Sequence, residues 1–152
     1  MKSTYKINLC YTLPLYLFNF SYIALELYKF NLRDLFNKSN DTKYIDKAFS
    51  LSQISLYLEY LMLFICISFL VVGLIYYKKK SDLIYLKKYI VINTLLIIGT
   101  KILSIITSKV LLIAPGNLFQ QNIPIIYVTL IAIALTIYAH MTLSKKTIKT
   151  TH

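Results

Sequence analysis

Three ionisable residues fall inside or at the edge of long apolar stretches: Glu26, Glu59 and Lys101. A charge in hydrocarbon is costly, so such residues pair with one another, line a wet cavity or mark a path for an ion or proton. Two carboxylates and one ammonium suit any of these roles. His140 stands near the end of another apolar stretch, just before Met141 and a lysine pair. It reads as an interfacial polar residue, with proton relay as the alternative. Cys10 and Cys66 lie in apolar stretches without a CxxC pair and read as small buried residues. The two histidines are far apart, and no acid stands at ligand spacing around them, so no metal site is expected. With three glycines in all, phosphate-cradling loops are excluded. No nucleophile, base and acid converge, so the expectation is a chain without catalytic residues, metal or cofactor.

The elements that must position these groups follow from composition. Hydrophobic residues make up 57% of the 152 and charged residues only 15%. A soluble domain carries about 25% charged residues. Disorder needs low hydrophobicity, which this chain lacks. Lys and Arg number 17 against 6 acids, a net charge of +11, but apolar blocks separate the bases, so they form no nucleic-acid footprint. An integral membrane protein is what remains. A crossing helix needs roughly 20 apolar residues. Four blocks qualify: 7–28, 58–77, 89–114 and 123–143. The first is the weakest, holding Pro14, Asn19 and Glu26. It could instead be a cleaved signal peptide, although no small-x-small site follows it. The alternating ten-residue segments of a membrane barrel are absent. The expected fold is all-α: a four-transmembrane-helix bundle with short loops, forming one integral membrane domain.

Orientation follows from the bases. Lys78, Lys79, Lys80, Lys87 and Lys88 crowd the loop between the second and third blocks. Lys145, Lys146 and Lys149 follow the fourth block, and Lys2 and Lys6 precede the first. This side should be cytoplasmic, with both termini on it, or face the matrix if the gene is organellar. The basic loop and tail would attract anionic lipid heads; docking of an acidic partner is the alternative. Glu26 and Glu59 then sit at the outer end of the bundle. Lys101 lies roughly 20 Å from the inner face, so the three are expected to meet in the outer half.

The first outer segment, 31–55, mixes bases with Asp34, Asp41 and Asp46. Ser39-Asn40-Asp41 reads as a turn. Ile45 and Phe49 after it suit a short amphipathic helix, within a connector lying on the lipid surface or forming an external lid. In the second outer loop, Pro115-Gly116 should stop the third helix and Pro124 should sit in the first turn of the fourth. Tyr28, Tyr57, Tyr60, Tyr76, Tyr77, Tyr85 and Tyr89 cluster at the span ends as an interfacial belt.

From Leu58 to Asn93 an apolar helix runs into YYKKKSDLIYLKKYIVIN, and the chain closes on IYAHMTLSKKTIKTTH. This resembles the closing pattern of small four-helix bacterial inner-membrane proteins grouped as domain-of-unknown-function family 2569. Ser144, Lys145, Lys146, Thr147, Ile148, Lys149 and Thr151 occupy the positions of that family's basic tail, with Lys146 where Arg is usual. The family's N-terminal Gly-Trp signature is missing. The resemblance implies a bacterial inner-membrane location and no activity; a mitochondrial inner membrane is the alternative. Three functions follow as expectations. One is a structural or regulatory membrane protein acting through a membrane-protein partner or a homo-oligomer. Another is a small transporter or ion-conducting oligomer using Glu26, Glu59 and Lys101. The third is an accessory subunit of a respiratory or export complex.

Overall fold

The computed structural model describes residues 2–111 and 118–149, with side chains described over 9–110 and 118–143. The described residues form four long helices: α1 (Lys2–Ser39), α2 (Lys43–Lys80), α3 (Ile84–Leu111) and α4 (Asn122–Lys149). The all-α expectation holds. Three helices are long and apolar enough to cross a membrane: α2, α3 over Ile84–Val110 and α4 over Asn122–Leu143. α1 is not among them. Pro14, Asn19, Ser21, Glu26 and its tyrosines dilute its apolar run. The helix nevertheless continues through Pro14, giving up the single backbone bond that the missing N–H would have donated. Pro124 sits in the first turn of α4 as expected. The stop expected at Pro115-Gly116, and the end of the third block at Ala114, lie outside the described residues.

Two expected loops are mostly helix. The segment 31–55 is not a connector: α1 runs to Ser39 and α2 begins at Lys43. The turn between them falls where Ser39-Asn40-Asp41 placed it. Asn40 takes a left-handed conformation (φ 55°), which its short polar side chain tolerates. Its N–H donates to the Phe36 carbonyl at 2.7 Å. The Asp41 carboxylate then accepts the Lys43 N–H at 3.1 Å, opening α2. The polar residues of 31–39 do not break the helix, because they serve its surface: Lys38 donates to Asp34 at 2.7 Å, one turn apart.

The basic loop shrinks in the same way. Only Ser81–Asp82–Leu83 are non-helical. Ser81 is left-handed (φ 53°), with its N–H on the Tyr77 carbonyl at 2.8 Å. Asp82 accepts the Ile84 N–H at 2.9 Å and starts α3. Lys78, Lys79 and Lys80 therefore form the last turn of α2, where cations favour the helix dipole. Lys87 and Lys88 ride the first turns of α3.

α1 runs antiparallel along α2, since Tyr11 meets Phe69 while Lys29 meets Ser52. The core stacks Tyr11 and Leu15 of α1 on Met62 and Cys66 of α2, with Leu86 and Leu96 of α3 and Ile125 and Ala132 of α4. α2 and α3 come close at Gly73: a Cβ there would stand 2.9 Å from Leu86 Cδ2. Lipid gives little hydrophobic force between helices, so packing and interhelical hydrogen bonds must hold them. The bundle supplies such bonds. Tyr11 donates to the Asn93 side-chain oxygen, and Asn93 Nδ2 donates to Thr129 Oγ1 at 3.1 Å. Thus α1, α3 and α4 are tied at one level. Nearer the α1–α2 turn, Thr100 Oγ1 donates to Asn19 at 3.3 Å.

Candidate functional site

The polar groups expected at the bundle's outer end converge where the α1–α2 hairpin leaves the other helices. A cavity of about 470 Å³ opens there, in the size range of small-ligand pockets. α1 contributes Tyr22, Glu26, Lys29 and Arg33. These lie at i, i+4, i+7 and i+11, one face of a helix. α2 contributes Ser52, Ser55 and Glu59 from its facing side, and Gln120 closes the cavity ahead of α4.

Charge in this cavity is balanced but unevenly satisfied. Lys29, only 6% exposed, pairs with Glu26 and donates to Ser52 Oγ at 3.4 Å. A buried cation needs such a partner. Glu59 is half-buried and faces Tyr22, which stands within reach of both carboxylates. Neither Glu59 nor Arg33 belongs to an ion pair among the described residues. Ser55 is 3% exposed, and its hydroxyl has no hydrogen-bond partner among the described residues.

The structure brings Glu26 and Glu59 into one cavity and leaves Lys101 out of it. Lys101 is exposed, with its ammonium 4.9 Å from the centre of the Phe119 ring. A cation over an aromatic face is attracted by the ring quadrupole. The expected three-way cluster is thus corrected: Lys29 is the ammonium that pairs with Glu26. Thr100 already turns inward to Asn19, and the next residue on a helix points about 100° away. Lys29 lies directly beyond the 7–28 block. Its spacing of three from Glu26 was the signal available.

The remaining expected residues stay dispersed. His140 is exposed near the far end of α4. Lys78, Lys79, Lys80 and Lys87 are exposed, and Lys88 is half-buried. Lys145, Lys146 and Lys149 fall in the last turns of α4, and their side chains lie outside the described residues. Cys66 is buried as expected, whereas Cys10 is exposed. Tyr89 leaves the expected belt for the core and stacks on Tyr11 with ring centres 5.4 Å apart. Tyr76 and Tyr85 pack edge to face at 4.1 Å beside the basic turn. Tyr77 donates to the Ala139 carbonyl at 3.2 Å, joining α2 to α4 at that end.

No group of three or more His, Cys, Asp or Glu able to hold a metal ion occurs among the described residues. No family model, curated protein or solved structure matches the chain.

Proposed function

We propose that the chain is a four-span membrane protein that works through protein contacts, as a structural or docking subunit, rather than by catalysis. The basic turn faces the cytoplasm in this reading, and the α1–α2 hairpin stands on the opposite side. Support for the fourth span comes from α1 itself. Its Tyr11 packs on Phe69 and Cys66 in the apolar stretch of α2, so the two helices share one layer. Leu9, Leu13, Leu17 and Phe20 form an outward stripe, each more than half exposed, as a lipid-facing helix requires.

The observation that carries the docking role is the length of the hairpin. α1 and α2 have 38 residues each, about 57 Å of helix against an apolar bilayer of about 30 Å. The excess on α2, 43–55, exposes Ile45, Phe49 and Ile54, with Phe49 at 71%. Ile45 and Phe49, one turn apart, share a helix face, and an exposed apolar patch of that kind marks a protein or membrane contact; outside the bilayer in this reading, it serves a protein.

Native mass after mild detergent extraction tests this. The expected result is an assembly heavier than one 17.7 kDa chain, which Phe49→Glu dissociates while the helical content stays unchanged. A monomer in both cases removes the docking role. A transport role draws support from Glu26 and Glu59 sharing a cavity. Against it, fully buried Leu15, Met62 and Ile125 close the interior below. Flux in proteoliposomes abolished by Glu59→Gln would favour transport.

A further inference from the structure

The cavity at the base of the hairpin has a charge pattern that a structural ion pair does not need. The pair Glu26–Lys29 is complete in itself. Outside any ion pair among the described residues are one acid, Glu59, which Tyr22 reaches, and one base, Arg33; the buried hydroxyl of Ser55 has no partner among them. We propose that the cavity binds a small soluble zwitterion, an amino acid or short peptide, with its ammonium at Glu59 and its carboxylate at Arg33.

A buried hydroxyl without a partner costs free energy. Ser55 lines this cavity, and a bound ammonium would give its oxygen a donor. The ammonium would thus meet a carboxylate and a hydroxyl together. Arg33, one turn beyond Lys29 towards the α1–α2 turn and exposed, suits a carboxylate, for which a guanidinium offers paired donors. The order of charges along the hairpin decides the source of the ligand. Glu59 stands opposite Tyr22, at the bundle side, while Arg33 lies eleven residues further along α1 towards the turn. A solute arriving from water would enter ammonium first. A phosphoethanolamine headgroup has its phosphate on the bilayer side and its ammonium outermost, which would set like charges together at both ends. The separation also matters. Eleven residues correspond to a rise of about 16 Å, and two long side chains reach into that gap from its ends. A dipeptide fits this span better than a single amino acid.

Calorimetric titration of the detergent-solubilised full chain with L-alanyl-L-alanine tests the proposal. N-acetyl-alanyl-alanine, alanyl-alanine amide and vesicles of phosphatidylethanolamine serve as the other probes. The free dipeptide should bind, and each blocked form should bind at least about tenfold more weakly, the value of one charge-assisted contact. Glu59→Gln should weaken the dipeptide by a similar factor and leave the acetylated form unchanged. Arg33→Gln should do the same with respect to the amide. Absence of dipeptide binding overturns the proposal, as do equal affinities for free and blocked forms, or binding to the vesicles alone. Arg33 is exposed, so its variant should fold. Should Glu59→Gln unfold, the blocked-peptide series on the unaltered chain still decides. The outcome is independent of the docking role, which native mass reads.

Discussion

Replacing Asn93 tests whether polar ties or packing alone hold α1 against α3. Asn93 is fully buried, accepts from Tyr11 and donates to Thr129 at 3.1 Å. Asn93→Leu keeps the branched shape, with some added volume that the double-mutant cycle cancels, and removes both bonds. Tyr11→Phe removes only the hydroxyl and keeps the ring against Phe69, 4.6 Å between centres, and Tyr89. Interhelical hydrogen bonds in membrane proteins average about 0.6 kcal/mol and reach about 1.7. Tyr11 has an alternative neighbour in Cys66 Sγ at 3.6 Å, but sulfur is a weak acceptor. The Tyr11–Asn93 coupling should therefore fall in the upper half of that range, at about 1 kcal/mol. Thr129 also donates to the Ile125 carbonyl at 2.7 Å. It has less to lose, so its coupling to Asn93 should be about 0.5 kcal/mol. Reversible unfolding of the purified chain in mixed micelles with a denaturing detergent, followed by circular dichroism, gives both double-mutant cycles. A Tyr11–Asn93 coupling below about 0.3 kcal/mol, the ordinary limit of additivity, refutes the reasoning.

Gly73→Ala should destabilise by about 1 kcal/mol because its Cβ would press on buried Leu86. Gly99→Ala has open space within 4 Å and should be neutral or stabilising; the same unfolding assay compares them. Lys101→Met should cost no more than about 1 kcal/mol, since among the described residues the contact it loses is that with Phe119. Failure to assemble, rescued by Glu59→Gln, would restore the buried ion pair. At the α1–α2 turn, the hydrogen bond from the Lys43 ammonium holds the Asp41 carboxyl below its ordinary range. That contribution is therefore complete above the ordinary carboxylate pKa and is lost as pH falls through the lower folded value. The protection factor of the Lys43 amide, its exchange relative to the intrinsic rate at the same pH, should fall as the Asp41 carboxyl is protonated and show no such fall in Asp41→Asn.

The helical class and three apolar spans were legible because a long apolar run has few other solutions. The boundaries at the two turns were not. Lysines and aspartates in 31–39 and 78–80 looked like loop composition, yet a helix surface beyond a span has the same composition. What distinguishes them is local: Asp34 and Lys38 one turn apart, and Asp41 and Asp82 each placed two residues before the N–H they accept. For the candidate site, Glu26 and Glu59 were found because both acids interrupt apolar runs at the same end. Depth, however, carries no azimuth. Thr100 and Lys101 differ by one residue and about 100° of rotation, so one faces Asn19 and the other faces away. Ser55 gave no signal at all, since a lone serine reads the same inside or outside a bundle.

The three-residue turn at Ser81–Leu83 does more than reverse the chain. Its left-handed Ser81 and the Asp82 cap leave no slack between two long helices. Asn93 and Thr100, seven residues apart on α3, must both face α1 for their bonds to form. The turn is therefore a clocking device: it sets the angle at which α3 leaves α2. Surface loops ordinarily absorb a gained or lost residue at small cost. One residue added after Ser81 would instead break the spacing between the Ser81 hydrogen bond and the Asp82 cap, so that the direction in which Asn93 and Thr100 face is no longer fixed. Length itself is the information stored in that turn.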